Sequence, residues 1–259
     1  MNFDEIYAWC IVPFDSMERT PAQRMAMLKR LNIKRYAYDW RVKHLESMAQ
    51  ELQLAKENDI EVISIWMWID AQWDSVGRLN GPNEEVFKII EASGYKGQLW
   101  VSFNANFFEG LPDQEAVKRG AEMIAYLSQR AAALGCKVGL YNHGDWFGEP
   151  AHQIKLIKAL PDQDLGLIYN FHHGHHQIDA FPELVPEMLP YLWFVNLNGL
   201  RKGGPKILTI GQGDHEKEMI DLLLSAGYQG DFGILGHIEE EDVEQVLKAN
   251  LDGLKELMK

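Results

Sequence analysis

The amino-acid sequence predicts one closed (β/α)8 barrel that spans residues 1–259. Eight short β-rich runs alternate with eight longer amphipathic runs, which indicates a closed parallel barrel rather than an open sheet. The β-rich runs are almost continuously apolar, as is typical of parallel strands that are buried on both faces. No linker or low-complexity tract divides the chain, so we expect a single domain.

The predicted strands are the runs richest in β-branched, aromatic and other apolar residues. They cover residues 6–12, 35–40, 61–69, 98–105, 137–143, 165–171, 192–198 and 231–237. All strands of a parallel barrel point the same way, so their C-terminal ends meet at one face. Active sites of such barrels lie at that face, and we expect the functional residues there.

The predicted helices are the runs with apolar residues at helical spacing. They cover residues 21–31, 45–58, 83–92, 113–134, 150–160, 181–189, 214–226 and 240–258. Thr20 before Pro21 is a predicted N-cap, and Asp214 is a second one. Gly94 and Gly227 are predicted to end the helices before the fourth and eighth strands.

The charge balance limits the classes of partner. The chain is 46% apolar and 24% charged, with a formal net charge of −13. An acidic surface repels phosphate backbones and anionic lipid, and no apolar run is long enough to span a bilayer, so we expect neither nucleic acid nor membrane as a partner. The two cysteines form no CxxC pattern, and the first residues lack a signal peptide's basic and apolar regions. We expect a cytoplasmic protein, with a removed leader as the alternative; the oligomeric state is left open.

Polar and aromatic residues gather at the predicted strand ends and not at the strand starts. The candidate catalytic residues there are Asp39, Arg41, His143, His172 and His173, and the candidate binding residues are Trp66, Trp68, Asn104, Tyr141, Asn142, Asn170, Asn196, Asn198, Lys202 and His237. Amides offer a donor and an acceptor to hydroxyl groups, and tryptophan faces stack on sugar rings. One Asn at a strand exit is commonly a turn residue, but the set as a whole favours a small-molecule carbohydrate site.

Four histidines stand in the segment FHHGHH at residues 171–176. They suit a transition metal, acid–base catalysis near neutral pH, or a solvated loop in which one imidazole points into the site. Neighbouring side chains of an extended segment point to opposite sides, so we do not expect all four to converge.

Gly203, Gly204, Gly211 and Gly213 accompany Lys202 after the seventh strand, where barrels often bind phosphate. The alternative is that they only shape a turn. The sequence contains no Walker loop, no Rossmann fingerprint between strand and helix, no GxSxG and no HExxH. Nucleotide, flavin and serine-hydrolase functions therefore lack their usual motifs.

Several segments resemble the xylose-isomerase-like TIM-barrel superfamily, and the resemblance extends over nearly the whole chain. It rests on RTPAQRMAMLKRLNIKRYAYDW, LGCKVGLYNHGDWFGEP, LGLIYNFHHGHHQID, LWFVNLNG, ILTIGQG and SAGYQGDFGILGH. The superfamily holds sugar and sugar-phosphate isomerases and epimerases and a DNA-repair endonuclease branch. A bacterial subgroup without an assigned activity shares YDWR, YNHG.WFGEP, YN.HHGH and GILGH.

The resemblance fails at the metal ligands. Metal-dependent members place Glu, Asp, His and Glu at the ends of the fifth to eighth strands; here those positions read Tyr141, Asn170, Asn196 and Ile234-Leu235, although His173 matches a family histidine. Neutral amides are poor ligands for divalent cations, so we expect no metal at the usual positions and no cofactor. The alternative is a substitute cluster for Mn, Zn or Co, formed by His143, Asp145, His172, His173 and His237.

Three functions remain, of which we take the first as the leading hypothesis. It is a sugar isomerase or epimerase that transfers a proton next to a carbonyl, with Asp39 or a histidine as base and Arg41 or Lys202 holding an anion. Its electrophile would be a protonated histidine, a cation or an amide donor. Asp39 and Arg41 could equally form only an ion pair at the rim. The second is a non-catalytic carbohydrate-binding barrel; the third, an endonuclease, is opposed by the acidic charge and the missing ligands.

Overall fold

The computed structural model describes residues 1–238 and 240–259 and contains a closed barrel of eight parallel strands. The strands are β1 (Tyr7–Trp9), β2 (Arg35–Tyr38), β3 (Glu61–Ile69), β4 (Gln98–Phe103), β5 (Lys137–Tyr141), β6 (Leu165–Asn170), β7 (Leu192–Leu197) and β8 (Asp231–Leu235). Their order around the barrel is their order in the chain, and β1 pairs with β8 to close it. The predicted fold is confirmed.

The helices form the outer ring. They are α1 (Pro21–Arg30), α2 (Leu45–Glu57), α3 (Gly81–Ser93), α4 (Asp113–Ala133), α5 (Asp145–Gly148), α6 (Pro150–Ala159), α7 (Phe181–Met188), α8 (Glu216–Ser225) and α9 (Val243–Leu257). Thr20 caps α1 as predicted, by accepting a hydrogen bond from the Gln23 N–H. No helix within the described part of the chain has the length and apolar character needed to cross a membrane.

The prediction that Asp214 caps a helix is wrong. The residue before α8 is His215, and Asp214 instead lies 3.6 Å from the Arg201 guanidinium. The Glu216 carboxylate accepts the N–H groups of Gly211 and Gly213 at 2.9 and 2.8 Å. The backbone N–H groups of the turn before α8 are thus hydrogen-bonded by a residue of the helix itself. The helix begins two residues later than predicted.

Several strands end earlier than the apolar pattern predicts. Strand β1 stops at Trp9 because Cys10 has φ 57°, a left-handed conformation that breaks an extended strand. Strand β4 stops at Phe103 because Asn104 caps a single 3₁₀ turn, and β5 stops at Tyr141. The polar residues after these strands consequently lie in loops at the barrel mouth.

The barrel interior is filled by large aromatic side chains. Tyr7, Trp9, Trp100, Tyr141 and Phe194 are buried in one cluster, distinct from the aliphatic layer between strands and helices. The Trp9 and Trp100 ring centroids lie 5.3 Å apart, and those of Trp100 and Tyr141 lie 6.2 Å apart. This packed floor supports the residues at the mouth.

Gly233 on β8 makes room for Tyr7, whose hydroxyl donates to Asn196 Oδ1 at 2.8 Å. A Cβ at position 233 would lie 2.2 Å from the Tyr7 ring and 2.7 Å from that amide oxygen. We expect Gly233→Ala to lower the free energy of unfolding by about 1–3 kcal/mol, measured by urea denaturation, because a packed core resists added volume. Gly81→Ala is the control, since within the described residues no heavy atom beyond its chain neighbours and its own helix backbone lies within 4 Å of its Cβ position. Equal stability of the two variants would contradict this close packing.

Candidate active site

A cavity of about 140 Å³ opens where the strands end, and we call it the inner cavity. It is lined by Trp9, Cys10, Phe14, Asp39, Arg41, Trp66, Tyr141, His143, His172, His173 and His237. The structure thus brings together all five candidate catalytic residues and three of the candidate binding residues. They come from β1, β2, β3, β5, β6 and β8 or from the loops directly after them.

Asp39 follows β2 and is only 2% exposed. Its Oδ1 accepts a hydrogen bond from the Val12 N–H at 3.3 Å, whereas its Oδ2 has no hydrogen-bond partner in the described residues. Burial raises the pKa of this carboxyl to about 6, although the nearby Arg41 charge acts in the opposite direction. Burial, followed by the Asp39 charge, raises the pKa of the Cys10 thiol as well. Asp39 therefore has the environment of a general base that works near neutral pH.

Arg41 supplies the positive charge of the inner cavity. Its guanidinium lies 5.3 Å from the Phe14 ring centroid and 5.4 Å from that of Trp66, and its Nη1 donates to the Trp40 carbonyl at 2.8 Å. Within the described residues, no ion pair joins it to Asp39 at 4 Å or less. The alternative of a simple Asp39–Arg41 ion pair at the rim is therefore not realised.

Three histidines from the loops after β5 and β6 form a cluster in the inner cavity. The ring centroids of His172 and His173 lie 3.7 Å apart, and those of His143 and His173 lie 4.3 Å apart. Burial lowers the pKa of all three imidazoles, that of His172 to about 3, and the other histidines lower the pKa values of His172 and His173 further. These imidazoles are neutral at pH 7. They can polarise a carbonyl through a ring N–H but cannot act as imidazolium acids.

The loop after β6 separates its four histidines into two pairs. His172 and His173 both line the cavity because the chain turns after Asn170, where an extended segment would have pointed them apart. His175 instead contacts the Arg201 carbonyl oxygen, and His176 Nε2 lies 2.7 Å from Glu149 Oε1. Two of the four converge, and the other two hold the loop to its neighbours.

The positions of the superfamily's metal ligands hold a neutral hydrogen-bonded network. The Tyr141 hydroxyl accepts hydrogen bonds from Trp9 Nε1 at 2.9 Å and from Asn170 Nδ2. Asn170 Oδ1 in turn lies 2.8 Å from His172 Nδ1, which must carry the proton there because an amide oxygen only accepts. Burial raises the pKa of Tyr141, so its phenol stays protonated. A divalent cation does not fit this donor set, because the amides and the phenol are neutral and bonded to one another.

The substitute metal cluster is only partly assembled. His143, His172, His173 and His237 line the inner cavity, but Asp145 is exposed in α5 and does not. Among residues 1–238 and 240–259, no group of three or more His, Cys, Asp or Glu side chains is arranged to hold a metal ion.

The remaining candidate binding residues bond to the protein itself. Asn104 Nδ2 donates to Asp70 at 2.9 Å, and Asn142 exchanges hydrogen bonds with the Asn170 backbone at 2.7 and 3.3 Å. Asn198 Nδ2 donates to two backbone carbonyls, and the exposed Lys202 lies 2.7 Å from Asp179. These residues do not line the inner cavity. A direct role for them in ligand binding stays a prediction.

A second, outer cavity of about 410 Å³ adjoins the first. It is lined by Trp40, Arg41, Val42, Trp66, Trp68, Asn80, Pro82, Asn83 and His143. Arg41, Trp66 and His143 line both cavities, so the two lie side by side with these residues between them. Trp68, predicted to bind ligand, belongs to this outer part.

The prediction missed Trp9, Cys10 and Phe14, which also line the inner cavity. The Phe14 ring stacks on His237 with centroids 3.5 Å apart. The apolar pattern placed the first strand end at residue 12, and the true end is at Trp9. Reading the strand end three residues earlier would have found Trp9 and Cys10.

Comparison with solved structures shows the fold. The chain matches 3-keto-D-glucoside 4-epimerase from E. coli with a TM-score of 0.72 at 17% identity, covering 98% of each chain. It matches a xylose isomerase domain-containing protein from Salmonella typhimurium LT2 with a TM-score of 0.70 at 13% identity, covering 100% and 99%. It matches D-psicose 3-epimerase with a TM-score of 0.71 at 11% identity, covering 97% of each chain. The chain has the xylose-isomerase-like barrel fold, as its resemblance implied.

No protein-family model and no curated protein matches the sequence.

Proposed function

We propose that this protein is a sugar isomerase or epimerase that transfers a proton on the carbon next to a carbonyl, using side chains in place of a metal ion. The observation that carries the proposal is the Asp39 carboxylate, whose unpartnered oxygen is buried in the wall of a cavity shared with Arg41 and three histidines. The fold similarity to sugar epimerases supports the substrate class but does not by itself establish an activity.

In the first step, Asp39 takes the proton from the carbon next to the carbonyl. The C–H electron pair forms the carbon–carbon double bond of an enediolate, and the carbonyl oxygen becomes negative. The Arg41 guanidinium and a neutral imidazole N–H stabilise that oxygen, the cation contributing the larger share. Of the electrophiles that the sequence allowed, the protonated histidine is disfavoured, because the three clustered imidazoles have lowered pKa values.

In the second step, the proton returns. Delivery from Asp39 to the former carbonyl carbon gives an isomer, once the proton of the neighbouring hydroxyl has passed to the former carbonyl oxygen. Delivery to the original carbon from the opposite side gives an epimer and requires a second acid there. The ring N–H groups of His143 and His173 are the candidates, since the two rings lie 4.3 Å apart and both line the cavity. Each would donate as a neutral imidazole and recover its proton from solvent.

Deuterium exchange tests this function whichever sugar is the substrate. A panel of aldoses and ketoses would be incubated with the protein in D2O, and the C–H signal next to the carbonyl followed by proton NMR. We expect loss of that signal for at least one sugar, and we expect exchange to persist after exhaustive chelation. Elemental mass spectrometry on protein without a histidine tag should find less than one transition metal per chain.

Two results would contradict the proposal. Exchange that chelation abolishes and Mn, Zn or Co restores would show that the histidines assemble a metal site. Sugar binding without exchange for any member of the panel would favour the non-catalytic carbohydrate-binding barrel, which the same tryptophans and amides also suit.

A further inference from the structure

The inner cavity is too small for a complete ligand of ordinary size. Its volume of about 140 Å³ falls below the ~300–1,000 Å³ of typical small-molecule sites. The outer cavity adds about 410 Å³ and shares Arg41, Trp66 and His143 with the inner one. The outer cavity is therefore the adjoining space in which the rest of a ligand that reaches Asp39 would lie, beyond Trp66.

The outer cavity has the walls of a sugar-stacking site. Trp66 and Trp68 lie two residues apart on β3, so their side chains are on the same face of the strand, toward the mouth. Met67 and Ile69 lie on the other face and are fully buried against the helices. The two indole centroids lie 5.7 Å apart with the planes inclined at 35°. Val42, 65% exposed, lies at the edge. Indole faces of this kind bind the C–H face of a pyranose ring.

The strand that carries this aromatic wall is held in place before any ligand binds. Trp40 Nε1 donates to the Trp66 carbonyl at 2.7 Å, and Asn83 Nδ2 donates to the Trp68 carbonyl at 2.9 Å. Trp66 Nε1 donates to Ser102 Oγ at 3.0 Å. A site whose walls are already ordered loses less conformational entropy when a ring binds to it.

The charges favour a neutral second group over a phosphate. Among the described residues that line the two cavities, Arg41 is the one Lys or Arg side chain. Lys202 pairs with Asp179, and the Glu216 carboxylate already occupies the N–H groups of Gly211 and Gly213. In the region where barrels often bind phosphate, the lysine and these backbone N–H groups are thus already paired with carboxylates of the protein.

We propose that the substrate is a two-ring glycoside whose reacting sugar carries the carbonyl, as the reducing sugar of a disaccharide does. That sugar lies in the inner cavity, and the second ring stacks on Trp68 in the outer cavity. This inference rests on the proposed function for the inner cavity. It specifies a two-ring ligand in place of a free monosaccharide or a sugar phosphate.

Binding calorimetry with Trp68→Ala tests the proposal. The probes are cellobiose and maltose as two-ring ligands, since each keeps a reducing sugar with a carbonyl, and glucose and glucose 6-phosphate as single-ring ligands. We expect at least one two-ring probe to bind about tenfold or more tightly than glucose. Trp68→Ala should remove about tenfold of that affinity, the size of one lost stacking contact, and should leave glucose binding within about twofold.

Trp73→Ala is the matched control. Trp73 lies on the loop after β3, is 56% exposed and lines neither cavity, so its loss should change no affinity. The proposal is overturned if no two-ring probe binds, if glucose or its phosphate binds as tightly, or if Trp68→Ala has no effect. Exchange on monosaccharides without preference for glycosides would retain the proposed function and reject this inference. Binding of a two-ring probe without proton exchange would retain this inference and reject the proposed function.

Discussion

Asp39→Asn is expected to slow proton exchange greatly and, at the same time, to make the folded protein more stable at neutral pH. An amide cannot take a proton from carbon, so we expect the exchange rate to fall by ~10²–10⁴-fold, the usual contribution of a general base. Stability should rise because the carboxylate is buried, and its Oδ2 has no partner among residues 1–238 and 240–259. The measurements are deuterium exchange and urea denaturation.

The gain in stability should depend on pH in one direction. The Asp39 pKa of about 6 in the folded protein exceeds the ordinary 3.8 of the unfolded chain, so the folded state binds more protons between these values. This carboxyl therefore destabilises the fold progressively as the pH rises from about 4 to about 6, and the loss of up to ~3 kcal/mol is fully present at pH 7. Asp39→Asn should show its advantage at pH 7 and lose it below about pH 4. The wild-type kcat/KM should rise through pH 6 as the base ionises.

Asp15→Asn provides the contrast. Asp15 is also buried, but it lies 2.7 Å from the Arg19 guanidinium and accepts backbone N–H bonds from Met17 and Arg19. Its replacement should lower stability and leave exchange intact. If Asp39→Asn kept its activity, the base would lie elsewhere; if it lost stability at pH 7, the carboxylate would have a stabilising partner in solution.

Arg41→Met should lower kcat by ~10²–10³-fold, because it removes the cation that faces the developing oxyanion. Methionine can keep the apolar packing against Phe14 and Trp66. The Arg41 charge also lowers the Asp39 pKa, so the variant's pH–rate profile should shift to higher pH. Steady-state kinetics over pH would measure both effects, and Arg41→Lys should restore part of the rate.

The control for Arg41 is Lys43→Met on the same loop. Lys43 is exposed and pairs with Glu18 at 2.9 Å, away from the inner cavity. Its loss should leave kcat and the pH profile unchanged. A raised KM with unchanged kcat in Arg41→Met would mean that Arg41 binds substrate and transition state equally, which would contradict its electrophilic role.

The barrel could be predicted because its strands are buried on both faces and read as apolar runs. The strand ends were harder, since apolar residues continue past them: Cys10 and Ile11 are buried, yet a left-handed Cys10 has already ended β1. Burial alone does not distinguish a core strand from a buried loop. Backbone conformation at a single residue decided the boundary.

The candidate site was predicted in part. Asp39, Arg41, His143, His172 and His173 converge because the end of each parallel strand faces the same mouth. The pattern could not show that Asn104 and Asn142 bond to the protein, since an amide at a strand exit suits a turn and a ligand alike. It also missed the outer cavity, whose wall depends on how Asn80 and the first turn of α3, which carries Asn83, pack against β3.

The network of Tyr141, Asn170, Trp9 and His172 makes the present donor set resistant to stepwise evolutionary change. Replacing Tyr141 by Glu would bury a carboxylate, and replacing Asn170 by Asp would remove the amide donor to the phenol. Each single change places a carboxylate in a buried site, where its ionised form loses solvation that no cation yet offsets. Several substitutions would have to occur together before a cation could compensate. A lineage with this network would therefore tend to remain without a metal at these positions. A designer who wishes to introduce a metal site would have to replace the residues of the network together.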